Sequence, residues 1–117
     1  MLTAFDPLKF FNLAQELAKE EGDEAKLRTA VGRAYYALFL FAKEKTGARG
    51  NHEQIIMTIK RRSGYKATGD QLGALHRLRI VADYQVVPIE EENKDWKDNW
   101  EKAQLLSERI LPKLQTW

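Results

Sequence analysis

The chain reads as one all-α domain spanning 1–117, an up-and-down helical bundle of four long helices plus a shorter one. Two observations predict this. Apolar residues recur at three- and four-residue spacing in five separate windows, and most of those windows begin or end on a recognisable helix signal. A length of 117 residues is enough to bury a real core without disulfides or a metal.

Asp6-Pro7 places a capping residue before a proline at the first helical position, and Leu8, Phe11, Leu13, Ala14, Leu17 and Ala18 continue at helical spacing toward Gly22. Asp23 caps the second and longest helix, 24–46, which Gly47 ends in a left-handed conformation. Asn51 with Gln54 three residues on forms a capping-box variant for a third helix, 52–63, with Ile55, Ile56 and Ile59 inward. SGYKATGD reads as a loop, and a fourth helix starts near Gly69 or Asp70 and runs to Tyr84 through Leu72, Leu75, Leu78, Val81 and Ala82. Val86-Val87-Pro88 breaks it in favour of an irregular or strand-like connection. Asn93 caps a last helix carrying Trp96, Trp100, Ala103, Leu106 and Ile110, which Pro112 kinks or ends.

Composition excludes several chemistries. There is no cysteine, hence no thiolate nucleophile and no cysteine-containing zinc site, and two histidines are too few for a histidine-rich metal centre. No metal or cofactor is expected. Nothing approaches the roughly 18 uninterrupted apolar residues of a membrane span, and the N-terminus lacks the basic patch and apolar core of a leader, so the expectation is a soluble cytoplasmic protein. A net charge of +2 does not by itself announce a nucleic-acid binder.

The residues that invite a functional reading lie on the second and fourth helices. In VGRAYYALFLFAKE, Arg33 heads the most apolar run of the chain and shares its line with Ala30, Ala37 and Leu40. A guanidinium cannot lose its charge, so Arg33 is expected to pair with Asp83 or with a carboxylate on the last helix. In HRLRIVADY, residues 76–84, His76, Arg79 and Asp83 are spaced i, i+3 and i+7, which gathers an imidazole, a guanidinium and a carboxylate within roughly 60° of one another.

RAYYALFLFAKE on a second helix, NHEQII opening a third and LRIVADY closing a fourth together resemble the HEPN domain, in particular its small stand-alone prokaryotic members. The resemblance covers 25–84. It implies a homodimeric helical bundle associated with RNA or a nucleotide, the toxin-like partner of a minimal nucleotidyltransferase. It also implies metal-independent ribonuclease chemistry built on an arginine followed four to six residues later by a histidine. This chain departs from that pattern, because Asp83 occupies the polar position after Arg77 and Arg79 while His76 precedes them. The resemblance thus assigns His76, Arg77, Arg79 and Asp83 to the candidate catalytic set and Arg33, Tyr36, His52 and Tyr84 to binding. An aspartate paired with arginine stays ionised and weakly basic, so the expectation is weak or absent cleavage.

Lys43, Lys45, Arg49, Lys60, Arg61, Arg62 and Lys66 form a basic cluster around the ends of the second and third helices, a solvated face or an attractor of phosphate. Trp96 and Trp100 are expected as core or dimer anchors, with the dimer interface on the second and fourth helices. Against the RNA-associated reading stands a non-catalytic dimeric interaction module in which Arg33, Arg79 and Asp83 only hold the fold. The chain is not itself a nucleotidyltransferase, since no Gly-Ser turn precedes paired aspartates.

Overall fold

The computed structural model describes residues 5–86 and 95–117. Five helices result: α1 (Leu8–Ala18), α2 (Glu24–Thr46), α3 (His52–Arg61), α4 (Lys66–Tyr84) and α5 (Trp96–Gln115). Three are long, at 23, 19 and 20 residues, and two are short, at 11 and 10, so the expected count of four long helices is corrected to three.

The second helix has the bounds its signals predict. Asp23 accepts a hydrogen bond from the Lys26 amide at 3.1 Å, and Gly47 closes the far end at φ 68°. At α3 both halves of the capping box form: the Gln54 amide donates to Asn51 Oδ1 at 2.9 Å and the Asn51 amide to Gln54 Oε1 at 2.8 Å. That helix stops at Arg61, because Arg62 turns extended while its amide still reaches Ile59. Asp6 serves the start of α1 by accepting from the Leu8 amide at 3.0 Å. Its far end falls at Ala18, short of Gly22, where the apolar pattern is exhausted and the amides of Lys19 and Glu20 reach back only three residues.

Two boundaries were misread from local signals. α4 begins at Lys66, so most of SGYKATGD is helix. Packing decides this: Tyr65 is buried, sets its ring edge against Trp117 and shares a 3.0 Å hydrogen bond with Thr116, while Thr68 and Gly69 are buried as well. Pro112 does not end the last helix, which runs three residues further and buries Leu114. The Pro88 break and the Asn93 cap lie outside the described residues; within them, Asp95 caps α5 through a 3.1 Å bond from the Lys97 amide.

α2 packs against all four other helices, and α4 also packs against α3 and α5. Fully buried Ala30, Ala34 and Ala37 let neighbouring backbones approach it, and Val31, Tyr35 and Leu38 interdigitate with Ile55, Ile59, Leu72, Leu75, Ile110 and Leu114. Trp96 and Trp100 are buried within this same core, whereas Leu13, part of the apolar pattern of the first helix, is exposed.

Glycine marks the closest helix approach. A Cβ on Gly69 would fall 2.2 Å from Lys60 Cγ, 3.0 Å from the Lys60 amide nitrogen and 3.2 Å from the Ile56 carbonyl oxygen, whereas one on Gly73 meets nothing closer than 3.8 Å. Gly73→Ala is expected to stabilise by about 0.5–1 kcal/mol through helix propensity. Gly69→Ala gains the same propensity but must push α3 away, for a net loss of about 1–3 kcal/mol. Urea midpoints of the two variants should move in opposite directions.

Candidate functional site

The polar residues of α2, α3 and α4 meet beside the core. Tyr35 is fully buried on α2, and a buried phenol needs a partner for its hydroxyl. It finds one on α3, where His52 Nδ1 lies 2.5 Å away. The His52 ring stacks on His76 of α4 with centroids 4.8 Å apart and planes only 9° from parallel, and His76 stacks on Tyr35 at 5.0 Å. Phe39, one turn beyond Tyr35, covers the other part of His52 at 4.3 Å.

Arg79 forms the second half of the site. Its Nη2 donates to the Tyr36 hydroxyl at 3.1 Å, and its guanidinium lies 5.1 Å from the Tyr36 ring and 6.0 Å from that of Tyr84. Nε sits 2.9 Å from Asp83 Oδ2, yet it has no directed hydrogen bond, so this contact is charge proximity. The Arg79 side chain is 15% exposed and that of Asp83 36%, which places the pair at the rim of the core. Asp83 also lies over α2, with Oδ1 3.5 Å from where a Cβ of Gly32 would be.

The burial sets the protonation states. Burial pushes the Tyr35 hydroxyl well above its ordinary range, so it stays protonated. For His52, burial and then the positive charge of Arg79 lower the pKa. For His76, burial acts first, followed by His52 and Arg79; Glu53 pulls the other way, and Arg77 adds a smaller lowering effect. Both imidazoles are therefore neutral near pH 7. With His52 neutral, the buried Tyr35 hydroxyl is satisfied by donating into Nδ1, which assigns the His52 proton to Nε2.

The candidate residues thus separate. His76, Arg79, Tyr36 and His52 come together, with Asp83 on Arg79. Arg77 points to solvent, and its Nη1 would lie 3.8 Å from a Cβ on Gly73. Tyr84 is 70% exposed. The expected charge pair of Arg33 does not form among the described residues: Asp83 turns to Arg79, and the Arg33 guanidinium lies 5.3 Å from the Phe10 ring and 5.9 Å from that of Tyr36. The arginine that answers buried backbone is Arg28, which sequence reasoning did not single out. It donates to the carbonyls of Ala82, at 3.3 Å, and Gln85, closing the C-terminus of α4, and lies 4.6 Å over the Trp96 ring. Of the basic cluster, Lys60 and Lys66 are both tied to Asp70 at 3.0 Å.

Tyr35 was missed as well. A tyrosine among fully apolar neighbours carries a signal, since its hydroxyl demands a partner from another helix, but the sequence does not name that partner. Among the described residues no group of three or more His, Asp or Glu converges as a metal site, and no helix is long and apolar enough to cross a membrane. Comparison of the chain with protein-family models, curated proteins and solved structures gives no match.

Chemically, the site offers two neutral imidazoles, one arginine already compensated by a carboxylate and one arginine free to meet solvent. The arrangement can donate hydrogen bonds to an anion and accept a proton. At neutral pH it supplies no imidazolium to protonate a leaving group.

The depressed histidines also fix a sign for stability. Below the ordinary value near 6.5 the unfolded chain takes up protons that the folded site resists, so the folded state loses stability as pH falls from about 6.5 through the depressed folded values. Thermal midpoints should therefore drop between pH 7.5 and 5.5. A His52→Gln, His76→Gln double variant should flatten that slope, and an unchanged slope would overturn the assignment.

Proposed function

We propose that the chain is a HEPN-like homodimeric bundle that holds RNA or a nucleotide at the face carrying His52, His76, Arg77 and Arg79, as the toxin-like partner of a minimal nucleotidyltransferase. At neutral pH it binds and does not cleave. The observation that carries this reading is the parallel stack of two neutral histidines beside Arg79. A metal-free ribonuclease needs one group to take the 2′-hydroxyl proton and another to protonate the leaving oxygen. Here His76 is the imidazole with a ring nitrogen to spare for the first task, since the acceptor nitrogen of His52 is taken by the Tyr35 hydroxyl, and neither ring carries the proton for the second. Their N–H groups, with outward Arg77, still suit a phosphate.

Pairing of Arg79 with Asp83 argues against cleavage too, because a compensated guanidinium has less charge to offer a phosphorane, and it leaves Arg77 as the guanidinium for phosphate. Arg77, Ile80 and Tyr84 follow one another at i, i+3 and i+7 on the outer side of α4, and all three are exposed. An apolar and aromatic stripe flanked by charge is suited to self-association through a two-fold interface.

Two measurements on the intact protein test the reading. Sedimentation equilibrium at micromolar concentration should give a dimer, and a clean monomer would sink that part. Labelled single-stranded RNA in excess chelator should be retained, with salt-sensitive affinity, and left intact at pH 7.5. Any cleavage should appear only as the pH falls below the ordinary histidine value near 6.5 and an imidazole gains a proton, and should fall about 100-fold in His76→Ala. Vigorous cleavage at pH 7.5 that survives His76→Ala is the result that contradicts the proposal.

A further inference from the structure

A row of aromatic rings and guanidiniums leads away from the α2–α3–α4 cluster to the start of α1. Tyr36 of α2 meets two cations, with the Arg79 guanidinium 5.1 Å from its ring and that of Arg33 5.9 Å from it. Arg33 in turn lies 5.3 Å from the Phe10 ring of α1, and Phe10 meets Phe5 with ring centroids 4.9 Å apart. Tyr36, Arg33 and Phe10 are half-buried and Phe5 is 56% exposed, so the row opens to solvent toward Phe5.

The two arginines differ in what they have left to offer. Arg79 is held by Asp83 and by the Tyr36 hydroxyl. Arg33 has only ring faces beside it among the described residues, and these leave its N–H donors and its net charge unanswered. The Tyr36 hydroxyl accepts from Arg79 and keeps its own hydrogen to donate. Donors without an acceptor select an anion, and the flanking rings select one that carries flat faces beside its charge. An unpaired RNA strand has both along its whole length, whereas a duplex stacks its base faces inward.

We propose that this row is a track for single-stranded RNA, with a further phosphate on the Arg33 guanidinium and an unstacked base on the exposed ring of Phe5. The strand then runs from the His52–His76 site across α2 to the start of α1. This rests on the RNA-holding reading of that site and narrows it to an unpaired strand.

The test is fluorescence anisotropy of the full chain with a labelled oligouridylate of about 12 nucleotides, its duplex with oligoadenylate and an abasic strand of equal length. The single strand should bind about tenfold or more tightly than either. Phe5→Ala, at an exposed position ahead of α1, should weaken it about tenfold and leave the abasic strand unaffected, which a merely structural role would not do. Arg33→Gln should weaken both strands alike and reduce the slope of log affinity against log salt by about 0.7, the share of one phosphate on a single strand. If Arg77→Ala weakens binding while Phe5→Ala and Arg33→Gln do not, the track is overturned and the RNA-holding site stands; if no RNA is retained, both fall. Equal affinity for the duplex overturns the track, as does displacement of the strand by oligoglutamate at equal charge, which would assign the row to an acidic protein. A change in the sedimentation of free Phe5→Ala would assign it to a second copy of the chain and overturn it equally.

Discussion

Enclosure of α2 by the four other helices is the constraint from which the candidate site follows. Where α2 faces its neighbours its polar groups are cut off from water and must be answered by them, while Glu24, Thr29, Lys43, Glu44 and Lys45 remain exposed. Arg28 is answered by the carbonyls that end α4, Tyr35 by His52 of α3 and Tyr36 by Arg79 of α4. Gly32, which has no side chain, leaves the space over which Asp83 lies. The polar cluster is where the demands of the core are met, and its geometry is as rigid as the packing around it.

Arg79 sets the electrostatics of that cluster. Held by Tyr36 and Asp83, its charge does not move away, and it acts with burial to keep protons off both histidines. Asp83 is suited to this role. Its carboxylate lies 2.9 Å from Arg79 Nε and keeps the guanidinium in place. Asp83 thus acts on the cluster as an anchor for the Arg79 guanidinium.

Features governed by neighbours in the chain were legible in the sequence. The bounds of α2, its aspartate cap, its left-handed glycine and the capping box of α3 depend on contacts within a few residues. Where packing between distant elements decides, local signals failed. Gly69 or Asp70 was expected to start α4, yet Gly69 lies inside that helix, where it lets α3 approach. Pro112 was expected to kink or end α5, and burial of Leu114 carries the helix past it. Helical spacing on α4 linked Arg79 with Asp83 and grouped His76 with them, but it did not reveal that the His76 ring stacks on Tyr35 of α2 and His52 of α3. It also drew attention to Arg33, whose guanidinium rests near aromatic rings, and away from Arg28, because no periodicity within one helix reveals which carbonyls another helix leaves open.

One line of cause runs from a turn to a proton. Gly50 adopts φ 115°, and a side chain there would collide with Gln54, whose carboxamide folds back onto the Asn51 amide. That reciprocal cap fixes His52 as the first residue of α3, the position from which its ring reaches Tyr35 and stacks on His76. A helix N-terminus also carries partial positive charge, which disfavours a second cation in its first turn. Burial, the helix terminus and Arg79 therefore act on His52 in one direction. The position of His52 in the stacked pair thus depends on a turn that Gly50 permits.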